Sequence, residues 1–252
     1  MKLKMILGII LMLDTGYSIA VGASPDAVHY GDFTNDVHFI DEAGQNSLIY
    51  AVTKLAPIEH ILKEKPYVNL QDRWGKSALI YAAGRFNLRD LRRLIAAGAK
   101  LDLQDLEGKS ALIQAFQNKG DDIAIELIKR KANLNLQDLE GKTALMHGII
   151  NSPTRGLNRG VKQLVESGAN LNLQDRKGRT ALMYATARHQ QEVVDLLLEA
   201  GANANLRNHN NKRAWDIAHG LQFNSIAFSL APYTRASFSE GLRSIKGMFA
   251  RK

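Results

Sequence analysis

The fold is decided by the stretch NLQDRWGKSAL at residues 69–79, because close copies of this stretch return along the 252-residue chain. Its glycine, Gly75, has counterparts at Gly108, Gly141 and Gly178, which follow at intervals of 33, 33 and 37 residues. A repeat of this length is typical of small helical units that stack on one another and share a continuous core. The period therefore predicts an array of stacked units, which offers a binding surface but no ready-made catalytic pocket.

Each copy carries the residues that a tight turn followed by two helices requires. The glycine stands where such a turn needs a positive φ, and an Asp three residues before it can accept hydrogen bonds from the turn. A Ser or Thr two residues after the glycine is suited to cap a first helix. Pairs such as Leu94-Ile95 supply the buried face of a second helix, which ends at Gly-Ala or, in one copy, at Lys131-Ala132. The Asp residues are Asp72, Asp105, Asp138 and Asp175, and the capping residues are Ser77, Ser110, Thr143 and Thr180.

These blocks resemble the ankyrin-repeat pattern, which is roughly D-x-x-G-x-T-P-L-H-x-A-A, then a second helix ending in L-L, then G-A-D/N. The best match covers residues 175–185 and continues to residues 201–203. In the four clear copies, Ala replaces the family's Pro, and Ile or Met replaces its His. Ala is well suited to a helical turn, and an apolar side chain can pack where His would hydrogen-bond. The resemblance implies an all-α ankyrin-repeat solenoid with β-hairpin-like tips.

Two weaker copies flank the four clear ones. Residues 44–51 align with residues 75–82 at a spacing of 31, and residues 211–218 begin 33 residues after Gly178. Terminal repeats of a solenoid are atypical because one of their faces has no neighbour. We therefore predict six repeats over residues 41–231, four complete and two degenerate caps, with four extra residues in a loop near residues 151–156. The repeats lie near 41–71, 72–104, 105–137, 138–174, 175–207 and 208–231.

The first residues follow the three-part pattern of a secretory signal peptide. Lys2 and Lys4 precede a nine-residue apolar run, and small residues offer a cleavage site after Ala23 or, alternatively, after Ala20. The run is shorter than the roughly 18 residues that a membrane-spanning helix needs. We expect a signal peptide at residues 1–23 and a lead-in at residues 24–40. The expected location is the periplasm, with secretion from the cell as the alternative. The opposing interpretation is a cytosolic chain that happens to begin with apolar residues. The lack of cysteine favours a bacterial exported protein.

Motifs of catalysis, cofactor binding and metal binding are missing from the sequence. None of the seven histidines forms an H-x-x-x-H pair, and no Walker loop, G-x-S-x-G or H-E-x-x-H stretch occurs. The recurring Asp residues stand one repeat apart, about 10 Å for stacked helices, which is too far for a pair of catalytic carboxylates. We therefore expect no enzyme, no cofactor and no metal site. Half of the formal charge of +8 lies after Pro232, and no basic stripe with interleaved aromatic residues is visible, so no nucleic-acid partner is expected.

The resemblance also implies where a protein partner would bind, because ankyrin proteins usually use the turn tips and the facing surface of the first helices. Trp74 is the most informative of these residues, since interface hot spots are enriched in Trp, Tyr and Arg. Its alternative role is to fold down over its own repeat and Tyr81, and the alternative for His147 is an exposed or stacking position. Trp215 occupies a buried Leu position of the last repeat and is expected in the core. The predicted contacts are Arg73, Trp74, Leu106, Glu107, Leu139, Glu140, Arg176 and Lys177 at the tips, and Tyr81, Arg85, Gln114, Gln117, His147, Tyr184 and Arg188 on the first helices.

The last segment, residues 232–252, is basic and amphipathic. Phe238, Leu242, Ile245 and Phe249 follow helical spacing among basic residues, whereas two glycines make the segment a poor helix by itself. It either caps the last repeat or, through residues 234–252, makes weak contact with an anionic membrane.

The leading hypothesis is a monomeric, non-enzymatic protein in the bacterial envelope that binds a protein partner through its tips and its concave first-helix face. Rigid repeat scaffolds suit this task because little conformational entropy is lost on binding. The alternatives are a secreted effector acting on a host protein, a periplasmic immunity or inhibitor protein, and a membrane-surface adaptor that uses the basic tail.

Overall fold

The computed structural model describes residues 40–152 and 157–234. Within these ranges it contains twelve α-helices, a short 3₁₀ helix and isolated β-bridges, with no extended strand. The helices are α1 Ser47–Lys54, α2 Glu59–Lys63, α3 Ala78–Gly84, α4 Leu88–Ala96, α5 Ala111–Gln117, α6 Asp121–Lys129, α7 Ala144–Asn151, α8 Arg159–Glu166, α9 Ala181–Ala187, α10 Gln191–Glu199, α11 Ala214–Gly220 and α12 Asn224–Leu230, and the 3₁₀ helix is Ala231–Tyr233.

Each of the six predicted repeats contains one pair of these helices, a first helix and a second helix. The predicted signal peptide, the lead-in up to residue 39, part of the long loop at residues 153–156 and the tail beyond Thr234 lie outside the described residues. The expectations for these four segments therefore stay predictions.

The described residues fall into two compact units. The first holds the described residues up to Ala82 together with Arg89–Lys100, and the second holds Ala83–Leu88 and the described residues from Leu101 onwards. In the second unit, the first helices α5, α7, α9 and α11 pack in succession, and the second helices α6, α8, α10 and α12 form another row. Each first helix of this unit also packs on the second helix of its own repeat. This two-layer stacking buries one face of every helix.

The predicted N-caps are confirmed. The hydroxyl oxygens of Ser110, Thr143 and Thr180 each accept a hydrogen bond from the backbone N–H three residues on, at 3.3 Å, and Ser77 does so at 3.4 Å. Asn46 takes this role in the first repeat, at 2.9 Å from the backbone nitrogen of Ile49. Such a side-chain acceptor satisfies one of the unpaired N–H groups at a helix start, which is why these helices begin where the sequence predicts.

The second helices end and pack as their sequence predicts. Gly98, Gly168 and Gly201 close them with positive φ values of 83–88°, and Lys131 adopts the same left-handed conformation at 68°. Leu94, Leu127, Leu164 and Leu197 are fully buried, one in each complete repeat. The expectation that Trp215 lies in the core is wrong. Trp215 is half-buried and stacks on His219 with a centroid distance of 5.0 Å, because it belongs to the last repeat, which no described repeat follows.

Candidate interaction surface

The tips are shaped by a buried Asp at the start of each turn. Its Oδ1 accepts the backbone N–H groups of the residues two and four positions on, at 2.8–3.0 Å in all four complete repeats. The two residues directly after the Asp are thereby turned outwards. All eight predicted tip residues are exposed, and among them Leu106, Leu139 and Trp74 have exposed fractions of 69%, 54% and 42%.

Backbone hydrogen bonds join neighbouring tips in the second unit into one row. The N–H of Leu139 donates to the carbonyl of Glu107, that of Arg176 to Glu140, and that of His209 to Lys177, at 2.9–3.0 Å. The Gln of each block adds side-chain links between successive repeats. Gln104 donates to the carbonyl of Gln137 (3.0 Å), Gln137 to that of Gln174 (3.0 Å) and Gln174 to that of Arg207 (2.9 Å). The sequence shows this Gln as a recurring letter, but sequence reasoning missed its role between repeats.

The tips of the second unit combine apolar side chains with local ion pairs. Glu107 pairs with Lys109, and Glu140 pairs with Lys142 at 2.5 Å. The hydrogen bond from Lys142 and its positive charge lower the pKa of the Glu140 carboxyl. Each exposed Leu therefore stands beside a carboxylate that already has a cationic partner. Arg176 and Lys177, one repeat further on, are both exposed and supply positive charge at that end of the row.

In the first unit, Trp74 stands on the outer side of its turn. The guanidinium carbon of Arg73 lies 4.2 Å from the centroid of the indole, which is a cation–π contact. The hydroxyl of Tyr81 is directed to the buried Asp72, to which it donates at 2.7 Å. Arg73 and Trp74 thus form an exposed aromatic–cation pair. Arg85, the other predicted contact of this group, is exposed and belongs to the second unit.

Three predicted first-helix contacts have a structural task that the sequence did not reveal. Each stands nine residues after the Asp of its repeat and hydrogen-bonds its Oδ2 at 2.7 Å: Tyr81 to Asp72, His147 to Asp138 and Tyr184 to Asp175. His147 and Tyr184 are only 8% and 9% exposed, so the exposed position considered for His147 is wrong. These two side chains lock the turn to the first helix, and little of their surface is left for a partner.

The third repeat breaks this pattern, because Gln114 stands where the other complete repeats have Tyr or His. The Oδ2 of its Asp105 is buried and has no hydrogen-bond partner within the described ranges. Gln114 and Gln117 are half-buried, and Gln117 Oε1 is likewise without a described partner. Arg188 is half-buried, and its guanidinium donates a hydrogen bond to the Ser152 carbonyl at 3.5 Å. Part of this predicted contact residue is therefore engaged within the fold.

Replacing Gln114 by Tyr should stabilise the protein. The new hydroxyl would reach Asp105 Oδ2 as Tyr184 reaches Asp175, and a buried acceptor would gain the donor it lacks, worth about 1 kcal/mol. The free energy of unfolding, measured by urea titration, checks this. Gln114→Phe is the matched control, since it adds the ring without the hydroxyl. Equal stability of the Tyr and Phe variants would show that Asp105 is already satisfied.

His147 should make stability fall at mildly acidic pH. Burial lowers the pKa of His147 below its usual 6.5. The hydrogen bond and the charge of Asp138 raise this pKa but do not outweigh burial, and the charges of Lys142 and Lys109 lower it further. The unfolded chain therefore takes up this proton more readily than the folded chain, and stability is lost as the pH falls through about 6.5.

The variant His147→Tyr isolates this effect, because the same bond to Asp is made by Tyr in two other repeats. Unfolding free energies at about pH 7.5 and about pH 5.5 should differ less in the variant than in the parent protein. The remaining histidines are common to both proteins and cancel in the comparison. An unchanged difference would exclude His147 as its source.

Over residues 40–152 and 157–234, no three His, Asp or Glu side chains are grouped so that they could hold a metal ion. Over the same residues, no helix is both long and apolar enough to span a bilayer.

Stacked helix pairs joined by hydrogen-bonded turns define a class of protein, the helical repeat scaffolds. A family model described as ankyrin repeats (3 copies) matches residues 48–138, 85–175 and 122–208, together more than half of the chain. The chain belongs to the ankyrin-repeat family, and its all-α repeat fold is confirmed. Ankyrin repeats are generally protein–protein interaction modules and typically not enzymes. No curated protein matches the chain significantly.

Proposed function

We propose that this chain is a non-enzymatic binding protein of the bacterial envelope that captures a protein partner with its turn tips. The observation that carries the proposal is the row of tips in the second unit. There, two large apolar side chains, Leu106 and Leu139, are mostly exposed on turns that are joined to each other by backbone hydrogen bonds.

The rigidity of this row favours binding. Because the turns are fixed before a partner arrives, ordering them on association costs little free energy. Two exposed Leu side chains provide apolar anchors, and Arg176 and Lys177 at one end provide positive charge. The partner that fits is a protein surface with an apolar depression and acidic residues at its rim.

Photo-crosslinking in cells tests this assignment and captures the partner in the same step. A photoreactive amino acid is placed at position 106 or 139 on the tips, and in matched proteins at Lys129 or Lys162, which are exposed on second helices. The cells are then irradiated. We expect the same cross-linked species from both tip positions and none from the two control positions. Cross-links that form at the second helices alone would place the binding surface on the other layer.

The proposed location rests on the start of the sequence. The basic residues, the nine-residue apolar run and the small residues up to Ala23 support export, and the lack of cysteine agrees with a periplasmic protein. Mass spectrometry of the protein from the periplasmic fraction should show a chain beginning at Ser24 or, with the alternative cleavage, at Val21. A cytosolic chain that retains its first residues would contradict export, and a processed chain found in the culture medium would favour the secreted effector.

Trp74 should be an additional hot spot. Replacing it by Ala removes an exposed aromatic–cation pair and should weaken binding of the cross-linked partner by about 2 kcal/mol, roughly 30-fold in Kd. Stability should hardly change, because the side chain is 42% exposed. Calorimetric titration with the identified partner, together with thermal unfolding, checks both statements. A large fall in Tm would instead give Trp74 a structural role.

A further inference from the structure

The end of the last described repeat carries a shallow groove with an open aromatic wall. It encloses about 290 Å³ between α10, α12 and the 3₁₀ helix, and it is lined by Asp195, Glu199, Phe228, Pro232 and Tyr233, among others. Phe228 is 67% exposed and Tyr233 is 47% exposed. Two large aromatic side chains are therefore uncovered in the same groove.

Phe228 differs from the residues at the same place in the preceding repeats. Thirty-three and 66 residues before it stand Asp195 and Lys162, both charged and suited to the outer side of a second helix. A phenyl ring at this position gains nothing from solvent, and large apolar groups that lie together on a surface mark a contact site. The outer side of α12 is therefore apolar at a position where the two preceding second helices carry a charge.

The chain itself supplies a matching segment directly after the groove. Residues 235–252, which lie outside the described part, follow Thr234 without interruption. Their apolar residues Phe238, Leu242, Ile245 and Phe249 are spaced by four, three and four positions, as on one side of a helix. Four residues span at most about 14 Å, so Phe238 can reach the groove that begins beside Pro232 and Tyr233.

The charges of the two surfaces are complementary. Asp195 and Glu199 line the groove, and neither forms an ion pair with any residue of the described ranges, although Asp195 accepts a hydrogen bond from Gln191. The segment carries Arg243 and Lys246 next to its apolar stripe. Cations placed near these carboxylates would orient the segment on the groove as well as attract it.

We propose that residues 238–249 dock on this groove as an amphipathic helix that closes the end of the repeat array. Its apolar stripe covers Phe228 and Tyr233, and its basic residues lie towards Asp195 and Glu199. The sequence alone leaves capping and membrane contact open, and the uncovered aromatic wall beside two carboxylates favours capping. This inference does not depend on the proposed partner, because the groove lies on the second-helix layer and the tips are elsewhere in the repeats.

A double-mutant cycle in the full chain tests the docking. Phe228→Ser and Leu242→Ser change one surface each, and Tm is measured for both single variants and for the double variant. Each single substitution should lower Tm by about 4 °C, and the double variant should be scarcely worse than either, because both break the same contact. Leu139→Ser is the matched control, since Leu139 is also an exposed apolar residue, and its effect should simply add to that of Leu242→Ser.

Two results would overturn the inference. The first is additivity of Phe228→Ser and Leu242→Ser, or no change of Tm with Leu242→Ser. The second combines two observations. The full chain sediments with phosphatidylserine vesicles and Leu242→Ser abolishes this sedimentation, while Phe228→Ser leaves Tm unchanged. Residues 238–249 would then bind a membrane and not the groove. Photo-crosslinking at the tips is unaffected by either result, so the failure of one proposal can be told from the failure of the other.

Discussion

Replacing Gly141 by Val should reduce the free energy of unfolding by about 4 kcal/mol. Gly141 has a φ of +76°, a conformation that costs an L-residue about 1–2 kcal/mol and a β-branched one more. In addition, a Cβ at this position would lie 2.9 Å from the backbone nitrogen of Arg176 and 3.0 Å from the Cα of Asp175. These neighbours are backbone atoms of the next tip, so relief requires the two repeats to move apart, which adds about 2 kcal/mol.

A matched control separates backbone strain from the steric contact. Gly168 has a similar φ of +83°, but a Cβ there meets no atom within 4 Å. Gly168→Val should therefore cost only the strain of the left-handed conformation, about 2 kcal/mol for a β-branched residue. Urea unfolding followed by circular dichroism gives both values. Equal losses in the two variants would mean that a Cβ at position 141 is accommodated without displacing the next tip.

The second large effect is expected for Asp175→Asn, at about 2–3 kcal/mol. Asp175 Oδ2 accepts the hydroxyl of Tyr184 at 2.7 Å and the Nε of Arg179 at 2.9 Å. An amide NH₂ at the same place cannot accept either hydrogen, so two partly buried donors would lose their acceptor. Burial raises the pKa of Asp175, but the hydrogen bonds from Tyr184 and Arg179 outweigh it and the pKa is lowered.

The pH dependence of this loss provides an independent check. The pKa of the Asp175 carboxyl is lower in the folded state than its usual value of 3.8. The carboxylate therefore stabilises the folded protein above pH 3.8, and this stabilisation is lost as the pH falls below 3.8. The difference in unfolding free energy between the parent protein and Asp175→Asn should therefore become smaller as the pH is lowered. Asp105→Asn is the matched control, since Asp105 Oδ2 has no described donor, and it should cost less than about 1 kcal/mol. Similar losses at both positions would refute the role of the Tyr184 bond.

Local features of the repeats could be predicted from the sequence because they are set within a few residues. A Ser or Thr two residues after a turn glycine caps the next helix, and the structure confirms this in all four complete repeats. The left-handed Lys131 was predictable as well, since it stands where the other repeats have Gly. The family match agrees with the period from which the fold was derived.

Features that depend on contacts between elements could not be predicted in the same way. The bond from His147 or Tyr184 to the turn Asp depends on how the first helix is rotated against its own turn. The resemblance placed both residues on an open face, whereas this rotation buries them. A spacing of nine residues between Asp and Tyr or His would have been the signal. The partial exposure of Trp215 depends on its being in the last repeat of the described array, and periodicity does not reveal how the far side of that repeat is covered.

The hydrogen-bonded row of tips separates the part of each turn that maintains the architecture from the part that would contact the proposed partner. The inter-repeat links use backbone groups and the recurring Gln, whereas the side chains of Leu106, Leu139 and Arg176 have no hydrogen bond or ion pair among the contacts described for the chain. The first position after the Asp of these three turns can therefore vary under selection while the framework stays constant. A lineage carrying this protein could acquire a new target by exchanging a few residues, one repeat at a time, with little change in fold stability.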